Sequence, residues 1–135
     1  MVDDVLLNKA AIIERCVSRA REEYQAAGAN FATDYTRQDA AILNLQRACE
    51  AAFDIANHLT RVHKLGIPQS ARGAFELLEQ GGRLPAPLAD AMKHMVGFRN
   101  IAVHDYQSLL LPITERIITQ HLDEFLAFTA HLLKQ

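Results

Sequence analysis

The chain has 135 residues, 50% of them hydrophobic, which is enough for one packed core and too little for two ordinary domains, so a single domain over 1–135 is expected. A formal net charge of -2 at pH 7 excludes a protein that coats nucleic acid non-specifically, and any contact with RNA must be local. Cys16 and Cys49 lack a partner at metal-ligand spacing and read as reduced core residues. The chain opens on Asp3 and Asp4 without a basic leader, and no run reaches the ~18 apolar residues of a membrane span. These features point to a cytoplasmic protein with no membrane association.

Taken in chain order, the first predicted helix runs from Asp3 to about Ala27. Leu6, Ile13, Val17, Ala20 and Tyr24 recur at spacings of three, four or seven, and Gly28 ends the element. The second runs from about Thr36 to His63, with Thr36 or Asp34 as its cap and Ile42, Leu45, Cys49, Ala52, Phe53, Ala56 and Leu59 as its apolar stripe. Ala48, Ala51, Ala52 and Ala56 permit another helix to approach closely. Lys64 to Pro68 is a turn, Ser70 caps a short helix through Phe75, Leu77 and Leu78, and Gly81 and Gly82 stop it. A fourth helix spans Pro85 to about Val103 with Leu88, Met92, Met95 and Val96 inward. Pro112 opens the last one, which carries Ile113, Ile117, Leu122, Phe125, Leu126, Leu132 and Leu133. All four prolines fall between the helical patterns, and no window alternates with period two. The expected fold is all-α, an up-down bundle of four to five helices with short loops.

The candidate site is the segment Arg99-Asn100-Ile101-Ala102-Val103-His104-Asp105-Tyr106. It combines a permanent cation suited to holding phosphate, an imidazole that exchanges protons near neutral pH, and a phenol. On a continuous helix Asn100 and His104 share a face, Arg99 and Tyr106 nearly eclipse each other, and Arg99 and His104 diverge by roughly 140°. Convergence of Arg99 and His104 then requires a long reach by the arginine, a loosening of the helix near His104, or a second copy of the segment. The chemistry favours the second copy. Cleaving RNA without a metal needs a base for the ribose 2'-hydroxyl and an acid for the leaving 5'-oxygen, and one imidazole cannot be both at once. A two-fold dimer brings two Arg99 and two His104 into one cleft.

This segment resembles the Arg-x4-6-His signature of the HEPN superfamily and, as Arg-Asn-x3-His-Asp-Tyr, that of the HepT-like toxins. The resemblance covers most of the chain. It implies the toxin of a toxin–antitoxin module, a dimeric, metal-independent endoribonuclease without a cofactor that acts on RNA, with no DNA substrate expected. Arg99 and His104 match the catalytic pair, Asn100 and Asp105 the supporting residues, and Tyr106 the tyrosine onto which a minimal nucleotidyltransferase antitoxin transfers AMP from ATP. Members that lose the signature become non-catalytic nucleotide-binding modules or partner subunits of a minimal nucleotidyltransferase, which is the alternative function.

Outside the signature, Glu50 interrupts the second apolar stripe and either orients Arg99 or His104 or sits at the stripe's edge. Arg72 and Arg83, with Lys93, either extend a positive surface toward RNA or are solvated charges. His58 and His63 fall on different faces, His94 is ten residues from His104, and His121 and His131 read as surface positions, so no metal site is expected.

Overall fold

The computed structural model describes residues 3–135, and its elements follow the sequence punctuation closely. Helix α1 is Asp4–Ala27, capped by the Asp3 carboxylate, which accepts from the backbone N–H of Leu6 at 3.0 Å. It ends at Gly28, whose φ of 56° is open to glycine and strained for a residue with a Cβ. Helix α2 is Tyr35–Val62, and of the two candidate caps the structure uses Asp34, which accepts from the N–H of Arg37 at 3.1 Å. Helix α3, Ala71–Gln80, is capped by the Ser70 hydroxyl, which accepts from the N–H of Gly73 at 3.0 Å.

Helix α4 is Ala86–His104 and holds Pro87 in its first turn, where a missing N–H costs nothing. A 3-10 turn, Tyr106–Ser108, leads into α5, Leu111–Arg116. Then comes a π-helical stretch, Ile117–His121, followed by α6, Leu122–Leu133. The fold is all-helical among the described residues, as expected, but the last helix is interrupted where the sequence reading had it continuous. The signal was the five-residue step from Ile117 to Leu122, both of which are buried. An i to i+5 turn widens the helix so that this step returns to the same face. Two of the apolar residues this segment carries, Ile113 and Leu133, are exposed. Pro112, like Pro87, lies just inside a helix start instead of between helices.

Helix α2 is the hub, packing against α1, α3 and α4, while α6 closes the bundle against α1 and α4. Its alanines explain the close contact: Ala48, Ala51, Ala52 and Ala56 are all buried and add little width between helix axes. The core runs through Ile13, Leu45, Ile55, Phe75, Met92, Phe125 and Phe128. Phe75 stands edge-on to both Phe53 and Phe128, with ring centroids 5.9 and 5.7 Å away. Cys16 and Cys49 are both free and buried, and burial pushes both thiols above their ordinary pKa. The arrangement holds the C-terminal end of α4 against the face of α2, where the signature meets two carboxylates.

Candidate functional site

The helical part of the signature ends at His104. Asp105 leaves helical geometry with φ -151° and ψ 60°, and its carboxylate accepts from the Ser108 hydroxyl at 2.6 Å while its carbonyl accepts from the Ser108 N–H at 2.9 Å. This is the turn chemistry for which short acidic side chains are suited. Asp105 therefore shapes the corner after the helix. Tyr106 sits beyond that corner, so it does not eclipse Arg99 on a continuous helix as the sequence spacing had suggested. The helix is also intact through His104, which removes the option of a loosened backbone.

Arg99 faces α2. Its Nε and Nη2 both donate to Oε2 of Glu50, at 3.3 and 3.0 Å, and Nη1 approaches Asn100 Oδ1 at 3.5 Å. Glu50 is thus an orienting partner of the arginine, the first of the two readings left open by the sequence. Because Glu50 engages only one edge of the guanidinium, donors on Nη1 remain for an anion. The pair lines a polar cavity of about 490 Å³ that also contains Asn57, Ser70, Arg72 and Asn100.

His104 is exposed at the end of α4 and, among the described residues, is bonded to no other side chain. Glu50 holds Nε and Nη2 of Arg99 against α2 while Nη1 turns to Asn100, and among the described residues no bond joins the arginine to His104.

Arg72 joins this site, whereas Arg83 and Lys93 do not. The Arg72 guanidinium lies over α4 at Gly97, where an added Cβ would come within 3.3 Å of Nη2 and displace it by a few tenths of an ångström. Arg72 also borders a second cavity of about 530 Å³ on the other side, with Ile101, Ser108, Leu110 and Ile113. Lys93 pairs with Asp90 at 3.4 Å, and Arg83 bonds Gln135 beside His58 and His63. His58 itself is engaged by Asp3 at 2.9 Å.

Tyr106 donates its phenolic hydrogen to the carboxylate of Asp39 on α2. Partial burial, followed by this bond and the negative charge of Asp39, raises the phenol's pKa to about 12. The sequence reading missed Asp39, although a signal was present. Asp39 and Glu50 are eleven residues apart, three turns of helix, which puts them on one face of α2 to within about 20° and about 16 Å apart. One carboxylate holds the tyrosine of the signature and the other its arginine.

Comparison with known proteins shows the family. The model described as "Ribonuclease HepT-like" matches residues 13–132. The chain belongs to the HepT-like family. It is 50% identical over 127 residues to the mRNA nuclease HepT of Shewanella oneidensis, covering 94% of this chain and 95% of the relative. Among solved structures it is similar to a tri-AMPylated Shewanella oneidensis HEPN toxin in complex with its MNT antitoxin, at TM-score 0.94 and 47% identity over 99% of this chain and 100% of that one. It is likewise similar to a toxin–antitoxin complex with AMP-PNP, at TM-score 0.91 and 47% identity over 97% and 99% of the two chains. The HepT-like bundle and the resemblance read from the octapeptide are both borne out.

Proposed function

We propose that this HepT-like chain is the ribonuclease toxin of a toxin–antitoxin module, with Arg99 and His104 as its catalytic residues. The observation that carries the reading is the intact signature presented at an exposed helix end, with Glu50 fixing one edge of Arg99 and leaving the other for a phosphate. The relatives support it, since one is an mRNA nuclease and another is a HEPN toxin held by an MNT antitoxin.

The active unit is a homodimer in this reading. Within one copy Arg99 bonds Glu50 and Asn100 and not His104, and Ile101 and Val103 within the signature, with Leu110 and Ile113 beyond it, are exposed apolar side chains that a second copy would cover. In the shared cleft one His104 takes the proton of the ribose 2'-hydroxyl, and the 2'-oxygen attacks the adjacent phosphorus. The other His104 gives a proton to the departing 5'-oxygen. Arg99 binds the phosphate oxygens as negative charge gathers there, and Asn100 orients the substrate or the imidazole. The products are a 2',3'-cyclic phosphate and a 5'-hydroxyl, and the cation and both proton carriers come from side chains, so the reaction is metal-independent. Asp105 supports the site by shaping the turn that follows His104.

Tyr106 is the point of control, modified with AMP by a minimal nucleotidyltransferase antitoxin. Of the three tyrosines, Tyr24 is half-buried against Glu115, Tyr35 opens α2 one turn before Asp39, and Tyr106 alone belongs to the signature. An adenylyl group there places negative phosphate and a bulky base beside a site built for RNA phosphate.

The test is cleavage of bacterial RNA in EDTA by the wild type, Arg99→Ala and His104→Ala, with analysis of the product ends. Cleavage that survives EDTA, leaves cyclic phosphate and disappears in both variants is expected. Equal activity in all three proteins, or none in unmodified wild type, would replace the nuclease with a non-catalytic partner subunit.

A further inference from the structure

Helix α2 contributes a second carboxylate to the signature, and its partner is the phenol. We propose that Asp39 positions Tyr106 and accepts its phenolic proton when that tyrosine takes an adenylyl group from a nucleoside triphosphate. The inference rests on Tyr106 being the modified residue.

The geometry is direct. Tyr106 Oη is the atom that must become the nucleophile, and its hydrogen already points at a carboxylate oxygen of Asp39. Both side chains are exposed, so a nucleotidyltransferase can reach the pair. The other ionisable groups near Tyr106 are otherwise placed. Asp105 is engaged by Ser108, Arg99 is drawn to Glu50, and His104 ends α4 on its exposed side.

A base is needed here. With its pKa raised to about 12, the phenol is ionised at pH 7 in only on the order of one molecule in 10⁵, since each pH unit is a factor of ten. Spontaneous ionisation is too rare to supply the nucleophile. The proton must leave as the new bond forms.

The step balances as follows. The Oη–Pα bond forms, the bond from Pα to the bridging oxygen breaks, and pyrophosphate leaves with that electron pair. The phenolic proton passes to Asp39 and from there to water. The esterified oxygen then has no hydrogen to donate, and the new phosphate charge is repelled by Asp39. The modified side chain is thereby released from α2 toward the cleft.

The test uses the full chain, its nucleotidyltransferase antitoxin and Mg-ATP, following AMP incorporation by intact mass under single-turnover conditions. Asp39→Asn keeps an acceptor oxygen but cannot take a proton. We expect its rate to fall at least tenfold at pH 7.5 with KM for the chain little changed. Between pH 7.5 and 9.5 the ratio of variant to wild-type rate should climb toward one, as hydroxide ionises the phenol in place of Asp39. Asp39→Glu should recover part of the rate. The unsubstituted chain supplies an independent reading, a slowing of about twofold in D₂O. An Asp39→Asn rate equal to wild type, or a deficit constant across pH, would overturn the proposal, as would the absence of a solvent isotope effect should the variants fail to fold. Tyr106→Phe separates the two claims: AMP incorporation that persists in it removes Tyr106 as the acceptor, whereas its loss there alongside a normal Asp39→Asn rate removes Asp39 alone.

Discussion

Glu23 and Glu50 are both carboxylates at helix interfaces that hold arginines, and they serve opposite ends. Glu23 on α1 is buried, at 7% exposure, with Arg19 at 3.0 Å on one oxygen and Arg37 of α2 at 2.7 Å on the other. Both its oxygens are used, and none of the cavities beside the signature includes it. Glu50 uses one oxygen for one arginine, its side chain is 37% exposed, and the pair borders a polar cavity. A fully satisfied carboxylate fastens helices together, whereas a partly satisfied one aims a cation and leaves it able to bind. An ion pair's role is therefore read from its unspent donors and acceptors more than from its length.

Substitutions can break that comparison, and the largest effect is expected in the signature. His104→Ala and Arg99→Ala should each lower RNA cleavage by about 10²-fold or more, the usual scale for a lost general acid or base or a lost anion-stabilising donor. Thermal melting should move little in His104→Ala, because its side chain is exposed. Glu50→Ala should lower cleavage about tenfold through a misaimed Arg99, with denaturant stability nearly unchanged.

Glu23→Ala should show the reverse pattern. Cleavage should stay at the wild-type level while urea unfolding reports a loss of about 1–2 kcal/mol, discounted because both arginines are partly exposed and regain water. Should Glu23→Ala reduce cleavage and Glu50→Ala reduce stability, the distinction fails. Arg72→Ala sharpens it further. Lying free over Gly97, Arg72 should act on RNA binding alone, raising KM a few-fold and flattening the salt dependence.

The smallest effect concerns Tyr106. Its folded-state pKa is raised above the ordinary value of about 10, so the fold favours the neutral phenol. That preference is fully present below pH 10 and is lost as pH rises toward 12. Tyrosine ¹³Cζ NMR should show Tyr106 ionising last in the wild type and moving back toward about 10 in Asp39→Asn.

Much of the fold was legible because its punctuation is local. Gly28, Asp34, Ser70 and Gly81 act within a turn of their own positions, and apolar spacing fixes which face is buried. The signature was legible for the same reason, being eight consecutive residues. What lay beyond the sequence was tertiary or depended on a break in periodicity. The corner at Asp105 moved Tyr106 off the helix, and the π-helical stretch shifted the register between Ile117 and Leu122. Asp39 met Tyr106 across 67 residues of chain. Glu50 was noticed because it interrupts an apolar stripe. Asp39 sits in a polar stretch where a carboxylate is ordinary, and only its eleven-residue spacing from Glu50 marked it.

In the proposed mechanism one copy does not complete the active site. The most direct test is to measure cleavage per chain and sedimentation together across a dilution series of the unmodified protein. Activity should fall in step with the dimer fraction and vanish in the monomer. Full activity per chain in a demonstrably monomeric sample would contradict it.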